Sequence, residues 1–170
     1  PALPDPDTEP LAASGMAVEI VHHGNLRAVL HALGLAREGG VLDRVILGND
    51  AQAGSGVVPL GILRTMAHLA SLGGIAPETV VALATGNTAR VHRLETGVIA
   101  VGREADVAFV DAPQGSVATT ALGALAIGDV PGVGMVLVDG APLIGRSRNT
   151  PPASRVPEVV RGPAVGAAGH

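Results

Sequence analysis

Cysteine and large aromatic side chains are what this sequence lacks. It has no cysteine, tryptophan or tyrosine, and Phe109 is its single phenylalanine. The absence of cysteine excludes disulfides and thiol chemistry, and it is typical of a cytoplasmic protein. Hydrophobic residues nevertheless make up 47% of the chain. We therefore expect a core of Val, Leu, Ile and Ala, without the rings that often anchor interfaces.

Charge is also sparse. Charged residues make up 15% of the chain, the net charge is -4, and the basic residues are scattered. Without a basic cluster or an aromatic stacking platform, the sequence does not predict a nucleic-acid partner. The longest charge-free stretch, residues 112–128, contains proline, glutamine, serine and threonine, so it does not predict a membrane span. The first residues do not have the pattern that predicts a signal peptide, and a fragment would not show one.

The length limits the architecture. A chain of 170 residues suffices for one ordinary domain, whereas a closed eight-stranded α/β barrel needs about 250 residues. The first residue is Pro1 and not Met. We therefore expect a cleaved product or the translated end of a longer reading frame.

The first part of the chain has the pattern of strand, helix and strand. Residues 18–21 are a short strand candidate, and residues 45–47 are a short apolar run typical of a buried parallel strand. Between them, residues 26–37 repeat apolar side chains at helical spacing. Asn25 is suited to cap the start of this helix, and Gly39-Gly40 to end it. The crossover is long enough to predict a parallel βαβ unit.

The remainder of the chain predicts further helices and then strands. Proline and glycine signals mark the ends of the helices, and a change to alternating apolar residues marks the strands. The predicted elements are helices from Pro59 to Gly73-Gly74 and from Pro77 to residue 85, strands over 97–102 and 105–110, a small helix over 117–126, and a hairpin over 135–144 that turns at Asp139-Gly140.

Polar residues follow directly on the second predicted strand. Asn49 and Asp50 come after the apolar run and Gly48, in the position where an α/β barrel carries its chemistry. Spacing alone is equally consistent with two residues that only shape a turn. The following loop, residues 53–56, lacks the lysine of a phosphate-binding loop. Ser55 is therefore expected to contact substrate or to shape the backbone.

Several segments together resemble the amidohydrolase superfamily. They are RVILGNDAQAGSGVVPLGILRTMAHLA, ATGNTARVHRL, TGVIAVGREADVAFVD, DVPGVGMVLVDG and SRNTPPASR, which lie between residues 18 and 155. The segments TGVIAVGREADVAFVD and DVPGVGMVLVDG resemble the superfamily in general. The ILGND and SRNTPPA pieces resemble its enamidase-like members, which hydrolyse a cyclic enamide.

The resemblance implies an α/β fold, namely the C-terminal segment of a (β/α)8 TIM-like barrel plus part of a small β-sandwich. It implies four parts. Residues 1–14 are a lead-in loop, residues 15–94 hold barrel strands 7 and 8 with the helices that follow, residues 95–150 belong to a composite β-sandwich, and residues 151–170 are a tail. Within the sandwich part, Asp106 is expected to fix a turn.

The resemblance also implies a metal-dependent hydrolysis of a carbon-nitrogen bond in a small cyclic amide. Asp50 corresponds to the family's metal ligand and proton shuttle. The cofactor implied is a divalent metal, Zn or Fe or both, with two ions in the intact enzyme. His22, His23, Asn49 and Ser55 are expected to bind substrate. The two histidines are not expected to be metal ligands, because the family's histidine ligands come from strands that this chain does not contain. A homo-oligomer is expected.

Two alternatives remain open at this point. The chain resembles the superfamily closely enough to belong to another cyclic-amide hydrolase, such as a dihydroorotase-like or imidazolonepropionase-like member. It could also be a non-catalytic α/β piece that serves a structural or partner-binding role. Asp50 alone cannot hold a catalytic zinc, since such sites normally need three protein ligands.

Overall fold

The structure, a computed structural model, describes residues 10, 13–21, 25–49 and 59–160. Helices and strands alternate in the first part and a small sheet follows, which confirms the predicted α/β class. In chain order the elements are β1 (Val18–Val21), α1 (Leu26–Glu38), a 3-10 turn (Leu42–Arg44), β2 (Val45–Gly48), α2 (Gly61–Gly73), α3 (Pro77–Ala84), α4 (Gly86–His92), β3 (Val107–Asp111), α5 (Ala121–Ile127), β4 (Gly132–Val138) and β5 (Ala141–Ile144).

The predicted βαβ unit is confirmed. β1 and β2 are parallel, and their register pairs Val18 with Val45 and Val21 with Gly48. The crossover helix α1 begins as predicted, because the Asn25 side chain accepts a hydrogen bond from the Ala28 backbone N–H at 3.1 Å. Both strands therefore run in the same direction and end at one edge of the sheet.

A single apolar cluster lies between the first sheet and the helices. β1, β2, α1, α2, α3 and α5 all contribute to it. Because α5 belongs to the part of the chain after residue 95, this core is not confined to the βαβ unit and its following helices. Its largest fully buried side chains are Leu33, Val45, Leu69, Val80, Leu83 and Leu125.

The second sheet is antiparallel, with β4 in the middle between β3 and β5. The hairpin between β4 and β5 turns at Asp139 and Gly140, which both have positive φ, at 50° and 73°. This is the turn that an Asp-Gly pair favours. Asp106 fixes it as predicted, because its Oδ1 accepts a hydrogen bond from the Asp139 backbone N–H at 2.8 Å.

Two predicted helix starts are wrong. α2 begins at Gly61 and not at Pro59, because Leu60 takes a left-handed conformation with φ of 59° that a helix cannot include. α5 begins at Ala121 and not at residue 117. Thr120 sets this start, since its side chain accepts a hydrogen bond from the Gly123 backbone N–H at 3.0 Å.

The predicted strand over residues 97–102 is also wrong. These residues form bends and a turn, and the described part of the chain provides no strand beside them. Gly97 and Gly102 have φ of +82° and +85°, which breaks the extended conformation at both ends. Ile99 and Val101 are almost fully exposed.

Residues 151–157, which the sequence assigns to a tail, pack against the second sheet. Pro113 and Ala153 form a β-bridge, and the Ser154 backbone N–H donates to the Ala112 carbonyl at 2.9 Å. The Arg155 guanidinium donates to both carboxylate oxygens of Asp111, each at 2.7 Å. The first part of the segment is therefore attached to β3. Residues 161–170 lie outside the described residues.

The Asp111–Arg155 pair should make the stability of the chain sensitive to acid. Hydrogen bonds from Arg155 hold the pKa of the buried Asp111 carboxyl well below its usual range. A carboxyl with a lowered folded pKa stabilises above its unfolded pKa, about 3.9, and loses this contribution as the pH falls toward the folded pKa. We expect Asp111→Asn to be less stable than the parent at neutral pH, and this difference to shrink progressively below about pH 4.

Denaturant unfolding of both proteins across the acid range checks this. Arg155 is largely exposed, so solvent screens the pair and the difference at neutral pH should be modest. A stability difference that stays constant down to the lowest pH at which both proteins fold would contradict the assignment of the ion pair.

No helix in residues 10, 13–21, 25–49 and 59–160 has the length and apolar character needed to cross a membrane.

Candidate functional site

The carboxyl ends of β1 and β2 lie at one edge of the first sheet, and the predicted site residues follow these ends in the sequence. Val21, the last residue of β1, pairs with Gly48, the last residue of β2. The two strands therefore end side by side at Val21 and Gly48. Of the predicted site residues, the structure describes Asn49. The others, His22, His23, Asp50 and Ser55, lie outside the described residues.

The two faces of this sheet differ in what covers them. Ile20, Val45 and Leu47 lie on the face that packs against the helices. Since successive side chains alternate, Glu19, Ile46 and Gly48 lie on the opposite face, where Glu19 and Ile46 are register partners. The register places two apolar residues and one acid on the face away from the core.

Asn49 contacts the start of helix α2. A Cβ atom placed on Gly61 would lie 2.8 Å from Asn49 Nδ2 and 3.0 Å from Asn49 Cβ. Only glycine leaves room for this contact, so Asn49 and Gly61 fix the first turn of α2 against the end of β2. Asn49 therefore has a structural contact on the helix side of the sheet. Its predicted contact with substrate stays a prediction.

Glu19 is a candidate site residue that the sequence analysis did not single out. Its side chain extends from the middle of β1 to the end of β2. A Cβ atom placed on Gly48 would lie 2.8 Å from Glu19 Cδ and 3.3 Å from Glu19 Cγ, and closer still to Oε1. The carboxylate thus lies over Gly48, one residue before Asn49. The available signal was a single acid within an otherwise apolar strand, VEIV.

Hydrogen bonds fix both strands at the opposite edge. The Asn87 side chain of α4 donates from Nδ2 to the carbonyls of Leu42 and Val45, each at 2.9 Å. Arg44 Nη1 donates to the Met16 carbonyl at 2.9 Å, which connects the start of β2 to the segment before β1. With their starting points held, β1 and β2 present their carboxyl ends in a defined register. Neither the Asn87 bonds nor the bond from Arg44 to Met16 could be predicted from the sequence.

The described residues by themselves do not fit a metal site. Within residues 10, 13–21, 25–49 and 59–160, no group of three or more His, Cys, Asp and Glu side chains is placed to hold an ion. Zinc sites normally need about three protein ligands. Glu19 is the described carboxylate that lies at the carboxyl edge of the sheet. Any metal centre there would require further ligands beyond these residues.

A separate apolar cavity of about 530 Å³ lies between α2, α3, α5 and the segment before β3. Ile62, Val81, Val98 and Leu122 are among the side chains that line it. Glu19, Gly48 and Asn49 do not line it. The cavity is therefore distinct from the edge of the first sheet.

Comparison with known proteins agrees with the resemblance seen in the sequence. The sequence model of the Amidohydrolase family matches residues 8–142. Enamidase from Eubacterium barkeri is 51% identical over 144 residues, which are 85% of this chain and 37% of that protein. The crystal structure of enamidase, a member of the amidohydrolase superfamily, superposes with a TM-score of 0.82, again at 51% identity and over 85% of this chain and 37% of that one.

A more distant structure shares the fold. The crystal structure of β-aspartyl dipeptidase from Fervidobacterium islandicum, determined with a β-Asp-Leu dipeptide, has a TM-score of 0.57 at 22% identity and covers 81% of this chain and 35% of that one. This chain thus spans little more than a third of the length of the relatives that it matches. Because the family model covers most of the chain, and the similarity to enamidase confirms the predicted resemblance, the chain belongs to the amidohydrolase family.

Proposed function

We propose that the polypeptide carrying this chain hydrolyses a carbon-nitrogen bond in a small cyclic amide, with a divalent metal, as an enamidase-like enzyme. The observation that carries the proposal is the 51% identity to enamidase over 85% of the chain. The chain covers 37% of that relative, so the proposal concerns the whole polypeptide. We propose a (β/α)8 barrel with a composite β-sandwich as the architecture of the whole polypeptide.

Asp50 is the residue to which we assign the central role. It follows β2 by two positions in the sequence, which is where an α/β barrel carries its chemistry. Hydrolysis of an amide requires a base that takes a proton from water and returns it to the leaving nitrogen. A carboxylate within hydrogen-bond reach of both can do this, which is the role of a general acid–base.

A divalent metal is the proposed cofactor, either Zn or Fe, with two ions in the intact enzyme. When bound, such a metal lowers the pKa of a coordinated water from 15.7 to about 7. Asp50 would be a ligand from this chain. His22, His23, Asn49 and Ser55 are the proposed substrate-binding residues. We further propose that the protein is a cytoplasmic homo-oligomer. Its proposed partner is a small cyclic amide, and we propose that it binds neither nucleic acid nor a membrane.

The 170-residue chain on its own should bind no stoichiometric zinc or iron. The proposal gives it one ligand, whereas zinc sites normally need about three from protein. Elemental analysis of the purified chain after dialysis against each metal checks this expectation. About one ion per chain, lost on substitution of His22 or His23, would show that these histidines are ligands and not substrate-binding residues.

A substrate panel on the full-length polypeptide tests the proposed function. The panel contains a six-membered cyclic enamide, dihydroorotate, an imidazolone carboxylic acid and a β-aspartyl dipeptide, each followed by mass spectrometry. We expect ring opening of the cyclic enamide with the highest kcat/KM. Preferred turnover of dihydroorotate or the imidazolone would replace the enamidase-like assignment with another cyclic-amide hydrolase. No turnover with any metal would favour a non-catalytic role.

A further inference from the structure

The Glu19 carboxylate lies closer to the carboxyl edge of the first sheet than the pairing of Glu19 within β1 implies. Glu19 pairs with Ile46, two residues before the end of β2, yet its carboxylate lies over Gly48. The side chain therefore points along the sheet toward the carboxyl edge. Glycine at position 48 leaves the space that the carboxylate fills.

This carboxylate has acceptor capacity that the described residues do not use. An ionised carboxylate only accepts hydrogen bonds, and it has about four lone-pair positions. No described residue donates a hydrogen bond to Glu19 or forms an ion pair with it, and the residue is exposed on the face away from the core. A group that is held at the edge above Gly48 and carries an N–H donor would satisfy it.

We propose that Glu19 is a substrate-binding residue whose carboxylate accepts a hydrogen bond from the N–H of the cyclic amide. The inference rests on the proposed function, since an unsubstituted cyclic amide has one N–H donor beside its carbonyl. Gly48 serves the same contact, because any side chain there would displace the carboxylate. Glu19 thereby selects amides with a free N–H over N-substituted ones.

The contact should strengthen during the reaction. In hydrolysis the water oxygen bonds to the carbonyl carbon, the carbon–nitrogen bond breaks, and the nitrogen receives a proton and leaves with the N–H that it already carried. The nitrogen becomes more positive as it is protonated, so an N–H···carboxylate bond is stronger in the transition state than in the ground state. Interactions of this kind raise kcat and not only substrate affinity.

Two variants of the full-length polypeptide test the proposal by different routes. Glu19→Gln removes the charge and keeps the shape of the side chain. Gly48→Ala leaves Glu19 intact but displaces its carboxylate, and the cost to stability is low because the atoms displaced are the far end of a flexible side chain. Glu38→Gln, on the exposed end of α1, is the matched control.

The measurements are kcat/KM for a six-membered lactam with a free N–H and the competitive inhibition constant of its N-methyl analogue. We expect Gly48→Ala to lower kcat/KM roughly 10–100-fold, the factor for losing a hydrogen bond to a charged group. Glu19→Gln keeps an acceptor oxygen but loses the charge, so it should lower kcat/KM by a smaller factor. The inhibition constant of the N-methyl analogue, the metal content and the melting temperature should stay close to those of the parent. The double variant should be no worse than Gly48→Ala alone, since both substitutions act on one contact.

Three outcomes would overturn the proposal. Unchanged kinetics in both variants would make Glu19 a surface acid without a role in binding. Equal weakening of both lactams together with loss of metal would assign Glu19 to the support of the metal site. A parent polypeptide that neither binds nor hydrolyses the N–H lactam would refute the proposed function itself, whereas the first two outcomes leave that function standing.

Discussion

Replacement of Asp50 by asparagine should lower the turnover of the full-length polypeptide by roughly 10²–10⁴-fold, the range for loss of general acid–base catalysis. Asparagine keeps the shape and one oxygen that could contact a metal, but it removes the basic site that would take the proton from water. The lost interaction acts mainly in the transition state, so KM should change much less than kcat. Steady-state kinetics with metal content measured on the same samples provide the test.

Asp106→Asn is the matched control for this variant. Asp106 also has an acidic side chain, but it lies before β3 and its Oδ1 accepts a hydrogen bond from the Asp139 backbone N–H. Asparagine keeps that acceptor oxygen, so turnover and metal content should stay near those of the parent. Near-normal turnover of Asp50→Asn with its metal in place would show that Asp50 is not the proton shuttle.

Among the substitutions considered for this chain, truncation of a core leucine in α2 should produce the largest loss of stability. Leu69 is completely buried in the cluster that joins α2 to β1, β2 and the other helices. Leu69→Ala removes buried apolar area and leaves a cavity, which together cost about 2–5 kcal/mol of unfolding free energy. A loss of this size approaches the whole stability of a small domain.

Leu72→Ala in the same helix is the comparison variant. Leu72 is 60% exposed, so its truncation should change the unfolding free energy by less than about 0.5 kcal/mol. Denaturant unfolding of the two variants and the parent measures both values. Equal losses from the two substitutions would contradict the position of α2 in the core.

The first half of the fold could be predicted from the sequence because its signals are local. The strand patterns that became β1 and β2, the helical stripe of α1 and the Asn25 cap each act within a few residues. The Asp139-Gly140 turn is local as well, because both residues adopt the positive φ that the hairpin needs. Such elements depend little on what the rest of the chain does.

Elements that depend on distant partners could not be predicted in this way. The alternating residues 97–102 have a strand pattern, but a strand exists only beside another strand. α2 starts after Pro59 because Leu60 is left-handed, and Gly61 then packs against Asn49 from the end of β2. The ion pair between Asp111 and Arg155 could not be predicted either, because the two residues are 44 apart in the chain.

The candidate site also has one part that the sequence shows and one part that depends on distant partners. The position of Asn49 and Asp50 after a buried strand is visible in the sequence, and the family resemblance gives Asp50 its expected role. The contact of Glu19 with Gly48 is not visible, because it forms between two strands whose register the sequence does not state. An acid in an apolar strand is a local anomaly, but only the register shows that it reaches the carboxyl edge.

The most direct measurement of the central claim is oxygen transfer from water into the product. The full-length polypeptide, loaded with zinc or iron, is incubated with the six-membered cyclic enamide in water enriched in heavy oxygen, and the product is analysed by mass spectrometry. The account predicts one heavy oxygen in the new carboxylate of a ring-opened product, formed by the parent and nearly lost in Asp50→Asn. An intact ring, or a product without the heavy oxygen, would contradict it.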